Sequence, residues 1–144
     1  MANPWLDPAK ARAWVSMANP GNPSHGEQLD VVRWVVSAHR PTRLLDLGCG
    51  PGTTTRRLVD GFPEAAVTCL DGSDVMIERA RDAMAGHPGD RSFVVADITD
   101  DWGRVGPFDC VTALNVVHHV GDDAKREVLR QGASVLEPGG MFLL

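Results

Sequence analysis

The chain has 144 residues, the length of about one domain. Its formal charge is −5 at pH 7, with 43% apolar and 23% charged residues, a balance that excludes wholesale disorder. It also excludes a protein whose main business is gripping nucleic-acid backbone, because phosphate neutralisation takes a basic face.

No stretch approaches the roughly 18 uninterrupted apolar residues of a membrane helix. The opening Met1-Ala2-Asn3-Pro4 lacks the basic stretch and apolar core of a signal peptide, so the expectation is a cytoplasmic protein without a membrane partner. Cys49, Cys69 and Cys110 are odd in number, far apart and set in apolar runs. They read as small buried thiols of a reducing compartment rather than as a disulfide or metal site.

In chain order, Asp7-Pro8 reads as an N-cap followed by proline at the first helical position, with the helix continuing from Ala9 to Met17. Asn19-Pro20-Gly21-Asn22-Pro23 breaks it. Ser24-His25-Gly26-Glu27 fits a capping box for a second helix, in which Leu29, Val32, Val35 and Val36 recur at helical spacing up to His39; Pro41 ends it.

From Arg43 the pattern becomes short apolar strands alternating with amphipathic helices. The strands are Arg43–Leu47, Ala66–Asp71, Ser92–Ala96, Phe108–Leu114 and Met141–Leu144, the last introduced by a Pro138-Gly139-Gly140 turn. The helices are Thr53–Val59, Ser73–Ala85, with Met76, Ile77, Ala80 and Met84 on one face, and Asp122–Leu136, with Ala124, Val128, Leu129, Val135 and Leu136 inward. Repeated strand–helix units predict an α/β, Rossmann-like, doubly wound and mostly parallel sheet of about five strands in the order 3-2-1-4-5, with helices on both faces. Residues 1–41 form an N-terminal helical segment and 42–144 the core. Ligands of such sheets bind beyond the carboxyl ends of the strands, so the residues just after each strand carry the argument.

The first strand runs into Asp46-Leu47-Gly48-Cys49-Gly50-Pro51-Gly52. Alternate glycines permit positive φ and leave main chain uncovered, and the helix starting at Thr53 points its partly positive end at the turn. A tight turn needs glycine too, but one usually suffices. The spacing is GxGxG, not the GxGxxG of dinucleotide sites. Asp46 beside the turn would repel a pyrophosphate and attract an ammonium or sulfonium group. That argues against a nicotinamide-dependent oxidoreductase.

Asp71 ends the second strand, where a carboxylate can accept from both hydroxyls of a ribose; it can equally cap the helix from Ser73, or do both. Asp97 ends the third strand before Ile98. An acid accepting from an exocyclic amine beneath an apolar side chain makes an adenine pocket, while the nearby Asp100 and Asp101 allow a plain solvated loop. The fourth strand leads into Asn115-Val116-Val117-His118-His119, where a substrate would meet a ligand seated over the glycine turn. His118 is the candidate general base, with a structural role as its alternative. The adjacent histidines point in different directions, and no Cys or His spacing forms a metal site. His25, His39 and His87 read as surface or helix-end residues.

Leu44-Leu45-Asp46-Leu47-Gly48-Cys49-Gly50-Pro51-Gly52, then Asp71, then Ala96-Asp97-Ile98, then Leu136-Glu137-Pro138-Gly139-Gly140 resemble, in this order, the class I S-adenosylmethionine-dependent methyltransferases. The resemblance covers Arg43 to Leu144 and is nearest to members acting on small molecules. It implies S-adenosyl-L-methionine as cofactor and a small-molecule substrate. Gly48, Cys49, Gly50 and Gly52 would line the methionine part, with Asp46 near its ammonium group. Asp71 and Gly72 would lie at the ribose, Met76 near the adenosine, Asp97 and Ile98 at the adenine, and Asn115 over the methionine end. The segment Trp14 to His25 sits where relatives place a lid. The chemistry implied is in-line methyl transfer, in which alignment carries much of the barrier reduction and no dedicated base is obligatory.

Family members usually have seven strands, and this sequence stops within the fifth. The expectation is therefore an exposed fifth strand that invites self-association or a partner chain. The competing reading is a non-catalytic cofactor-binding fragment or subunit completed by another chain.

Overall fold

The computed structural model describes residues 6–17, 25–102 and 105–144. Five strands form one sheet in the order β3-β2-β1-β4-β5, every neighbouring pair parallel. The strands are β1 (Arg43–Leu47), β2 (Ala66–Asp71), β3 (Arg91–Val95), β4 (Phe108–Thr112) and β5 (Leu136–Leu143). The helices are α1 (Pro8–Ser16), α2 (His25–His39), α3 (Thr53–Val59), α4 (Asp74–Ala83) and α5 (Asp122–Val135), with a 3-10 turn at Val117–His119. The winding direction reverses between β1 and β4. The carboxyl ends of these two strands therefore flank the crevice at which such sheets bind ligands.

Alternation along β1 explains the two-sided core. Leu44 joins Val36, Leu58, Val59, Val67, Ile77 and Met84 on the face covered by α2, α3 and α4. Leu45 and Leu47 join Leu70, Trp102, Val111 and Val128 on the face covered by α5. Asp46 has the parity of Leu44, so its carboxylate is directed into the α3 side at the carboxyl end of the strand, in register with Cys69 on one side and Thr112 on the other.

Local capping follows the expected chemistry. The Asp7 side chain accepts from the Ala9 amide ahead of Pro8, and the Ser73 hydroxyl accepts from the Met76 amide to start α4. The α4 stripe of Met76, Ile77, Ala80 and Met84 is buried. Ser24, the first member of the expected capping box, lies outside the described residues, as does most of the segment expected to form a lid. All three cysteines are buried and free.

Some expectations are corrected. Leu129 is 40% exposed, so only part of the stripe expected to face inward from α5 does so. The strand β5 begins at Leu136, before the Pro-Gly-Gly turn. Leu136 pairs with Phe108 and Met141 with Cys110, so four residues of β5 face one of β4 and Glu137–Gly140 bulge out of the ladder. Gly139, at φ 81°, makes that excursion possible. His87 is buried, its Nε2 2.8 Å from the Ala65 carbonyl, and is not a surface residue.

Candidate functional site at the carboxyl ends of β1, β2 and β4

The turn leaving β1 is pinned beneath by the amides of Gly48 and Cys49, both donating to the Leu70 carbonyl at 2.7 and 3.1 Å. Its three glycines all have positive φ, at 65°, 54° and 79°, but for different reasons. A Cβ on Gly48 would meet the Val116 side chain at 2.3 Å, and one on Gly52 would meet Ala80 Cα at 2.7 Å. Those two glycines let the chain after β4 and helix α4 approach. A Cβ on Gly50 would meet nothing within 4 Å. Gly50 is thus the member of the three whose main chain is open to a ligand.

Three acidic residues sit around this opening. Asp46 is 3% exposed, with Thr55 Oγ1 donating to Oδ2 at 2.5 Å and Thr112 Oγ1 to Oδ1 at 2.8 Å. Burial pushes its pKa up from 3.8 to about 6; the two hydroxyls act against this and the charge of Asp71 adds to it. Asp71 Oδ2 accepts from the Gly50 amide and Oδ1 from the Ser73 amide, each at 2.9 Å. Its pKa is also raised, first by burial, opposed by the Ser73 and Gly50 amides, and raised further by Asp97. Asp97 Oδ1 accepts from the amide and hydroxyl of Thr99 at 3.0 and 2.9 Å. Asp71 thus raises the pKa of Asp46, and Asp97 that of Asp71, as expected where negative charge is not matched by positive charge.

The expected residues do not form one cluster. Asp46, Gly48, Cys49, Gly50, Gly52 and Asp71 are tied together by the bonds and register above. Gly72 and Asp97 are adjacent, since a Cβ on Gly72 would lie 3.5 Å from Asp97 Cα. Met76 and Ile98 are 4% and 5% exposed, and Ile98 packs in the core beside Trp102, whose indole Nε1 donates to the Ile98 carbonyl. Asn115 is exposed and holds φ 56°, a left-handed conformation uncommon for a residue other than glycine. His118 is exposed, and its ring contacts that of His119, centroids 4.0 Å apart and tilted 44°. The two rings do not diverge as expected. His119 titrates lower than usual through burial and then the proximity of His118.

Four further residues shape the site; Val116 lies in the segment expected after β4, while Thr55, Thr112 and Leu6 were not anticipated. Thr55 and Thr112 hold Asp46; the first is one of three consecutive threonines, and the second depends on the β1–β4 register. Val116 fills the space over Gly48, and Leu6, just ahead of α1, lies over Gly72 with Cδ2 2.8 Å from the position of a Cβ there. Among the described residues no cluster of three His, Cys, Asp or Glu could hold a metal ion, and no helix is long and apolar enough to cross a membrane.

Residues 44–140 match the family model described as a methyltransferase domain. The chain belongs to this methyltransferase-domain family. Among its relatives, a trans-aconitate 2-methyltransferase of Rhodopseudomonas palustris is 39% identical over 102 residues, 71% of this chain and 37% of the relative. A 27-O-demethylrifamycin SV methyltransferase of Amycolatopsis mediterranei is 38% identical over 104 residues, again 71% of this chain and 37% of the relative. The chain thus spans little more than a third of the length of these curated relatives. The fold matches the crystal structure of the N-methyltransferase NodS from Bradyrhizobium japonicum in complex with S-adenosyl-L-homocysteine, with a TM-score of 0.77 at 21% identity, covering 94% of this chain and 70% of that one.

Proposed function

We propose that this methyltransferase domain binds S-adenosyl-L-methionine at the turn after β1 and transfers its methyl group to a small-molecule acceptor. The observation that carries the reading is an open Gly50 main chain flanked by Asp46 and Asp71, whose pKa values are raised first by burial and then by a neighbouring carboxylate, with Asp97 close by; this favours a ligand bearing positive charge. A pyrophosphate would meet the same carboxylates as repulsion. The names of the relatives reported above, a trans-aconitate 2-methyltransferase and a 27-O-demethylrifamycin SV methyltransferase, support the same class.

Each residue then has a physical task. Asp71 fixes the Gly50 and Ser73 amides and leaves remaining acceptor capacity on its oxygens for ribose hydroxyls. Asp97 and the Ile98 main chain border the adenine end, with Gly72 and Met76 between ribose and base. Asp46 sets the negative potential under the amino-acid end while Thr55 and Thr112 hold it still. Cys49 fills the underside of the turn, and Asn115 closes the methionine end. When bound, S-adenosyl-L-methionine supplies an activated methyl carbon and a neutral leaving group. The chain's part is alignment and exclusion of water. His118 is the residue proposed to accept a proton at its imidazole nitrogen if the acceptor must lose one. The core is residues 42–144, residues 1–41 are the N-terminal segment, of which Leu6 borders the site over Gly72, and the cytoplasm is its compartment.

Calorimetric titration with S-adenosyl-L-methionine and S-adenosyl-L-homocysteine tests this. A folded sample that gives no heat with either removes the proposal.

A second reading has its own observation. The outer side of β5 pairs with no strand among the described residues, and the chain covers 37% of its relatives. Further polypeptide, whether more of the same chain, a partner chain or a second copy, then completes the sheet at β5 and turnover depends on it. Methyl transfer by the isolated 144 residues would refute that dependence.

A further inference from the structure

Beneath the glycine turn, Asp46 is held from two sides by threonines that are themselves fully buried. Thr55 comes from the first turn of α3 and donates to Oδ2 at 2.5 Å; Thr112 comes from β4, in register with Asp46, and donates to Oδ1 at 2.8 Å. Of the three consecutive threonines that open α3, Thr53 is exposed and Thr54 half-buried, and Thr55 is the one turned to the carboxylate. The choice of hydroxyls has a physical consequence. A buried carboxylate without donors takes up a proton and loses its charge. A buried Lys or Arg beside it would keep it ionised but cancel its field. Hydroxyls stabilise the ionised form and leave the net negative charge in place. The cations of α3 are directed away: Arg56 lies 3.6 Å from Asp60 and Arg57 2.9 Å from Asp30 of α2, all at the surface. The helices α2 and α4 turn apolar residues, among them Val36, Ile77 and Ala80, to this side of the sheet. The other titratable groups facing Asp46 are Asp71 at the end of β2, Cys69 within β2, Cys49 in the turn and Cys110 in β4. The Cys49 thiol is pushed up, first by Cys69 and then by burial, and burial pushes Cys110 up to about 12, so both stay neutral where a carboxylate titrates.

We propose that Thr55 and Thr112 are positioning residues of the cofactor site, which keep Asp46 negatively charged so that it attracts the cationic S-adenosyl-L-methionine. This rests on the cofactor reading above and deepens it by naming the residues that set the charge of that site. Thr55 has the larger share, since the Thr112 hydroxyl has a second acceptor in the Leu45 carbonyl 3.5 Å away. Thr55→Val keeps the shape, removes the donor and moves upward the pH at which Asp46 loses its charge. For one hydrogen bond to an ionised group, that movement is about one pH unit from a starting point of about 6. With the neutral carboxyl binding the cofactor about tenfold more weakly than the charged one, the variant binds about threefold more weakly than the wild type near pH 6, and the two converge by about pH 8. Asp71 and the cofactor's own amine are common to both proteins and drop out of the ratio.

The test is calorimetric titration of the 144-residue chain with S-adenosyl-L-methionine, as wild type, Thr55→Val and Thr55→Ser, at several values between about pH 5.5 and 8. Thr55→Val should show the loss near pH 6 and recover as pH rises. Thr55→Ser keeps the hydroxyl and should follow the wild-type curve. Where Thr55→Val fails to fold, Thr112→Val carries the same comparison, with a smaller loss in the same direction. A loss equal at every pH, an affinity unchanged near pH 6, or a Thr55→Ser curve that matches Thr55→Val would overturn the proposal. Absence of S-adenosyl-L-methionine binding by the folded wild type would overturn the cofactor reading beneath it.

Discussion

Replacing Asp46 by Asn separates the charge beneath the glycine turn from the packing around it. Asn has the same shape, and the hydrogen bonds can be kept. Its Oδ1 accepts from Thr55, its Nδ2 donates to Thr112 Oγ1, and the Thr112 proton turns to the Leu45 carbonyl, 3.5 Å away. The charge is what changes. A folded-state pKa of about 6 against an ordinary 3.8 means that the native protein holds a proton on Asp46 where the unfolded chain has lost it. This contribution to stability is fully present below pH 3.8 and is lost as pH rises through about 6, a total of about 3 kcal/mol at ~1.36 kcal/mol per pKa unit. Complete burial means that solvent screening does not reduce it. Urea unfolding of both proteins at several values between about pH 3.5 and 7.5 should therefore show a stability gap that widens by about 3 kcal/mol in favour of Asp46→Asn as pH rises. At the upper end S-adenosyl-L-methionine should bind the variant about tenfold more weakly, a loss of ~1.4 kcal/mol. A gap that stays constant with pH, or one that widens in favour of the wild type, would show that Asp46 is not a desolvated carboxylate retained at a cost to the fold.

The glycine turn offers a paired comparison. Gly52→Ala combines φ 79° with a Cβ 2.7 Å from Ala80 Cα and should cost about 3 kcal/mol of stability in chemical unfolding. Gly50→Ala meets no atom and should cost only about 1–2 kcal/mol of stability, while calorimetry records a larger loss of cofactor affinity than its stability loss. Asp71→Ala removes the acceptor of two amides and should weaken cofactor binding by about 1–3 kcal/mol; unchanged affinity would refute the ribose assignment. At the opposite end of the sheet, Asp109 accepts from the Thr42 amide and hydroxyl and from the Arg43 amide. Burial acts to raise its pKa, but these donors outweigh burial and hold it below 3.8, so its contribution is present above that pH and is lost as pH falls. Asp109→Ala should lower stability at pH 7 by about 1–2 kcal/mol and leave cofactor affinity unchanged.

The strand order was legible because the strands are short apolar runs separated by capped amphipathic helices, and few topologies suit that alternation. Pro-Gly-Gly was legible as an excursion but not as one inside β5, because the Phe108–Leu136 pair that starts the strand earlier is a long-range contact. Asp46 was legible as a carboxylate near the turn. Its two hydroxyl partners were not, since Thr112 meets it only through the β1–β4 register, 66 residues apart in sequence. Similarly, three glycines look alike in a motif, and only the packing of Val116 and Ala80 shows that two of them serve the chain's own atoms. His87 was misread because nothing local announces the Ala65 carbonyl that accepts it into the interior.

The two ends of the sheet differ in a way that locates function without any motif. At the amino end Asp109 has three donors and a lowered pKa, which is what a carboxylate does when it serves the fold. At the carboxyl end Asp46 and Asp71 have raised pKa values although each accepts two hydrogen bonds. A fold selected for stability alone would replace a buried, uncompensated carboxylate with a neutral group and gain by it. Negative charge kept at the winding reversal of a parallel sheet makes sense when a cation completes the set. The positively charged amino acid and sulfonium of S-adenosyl-L-methionine would supply it, and binding would then release protons from Asp46 below about pH 6.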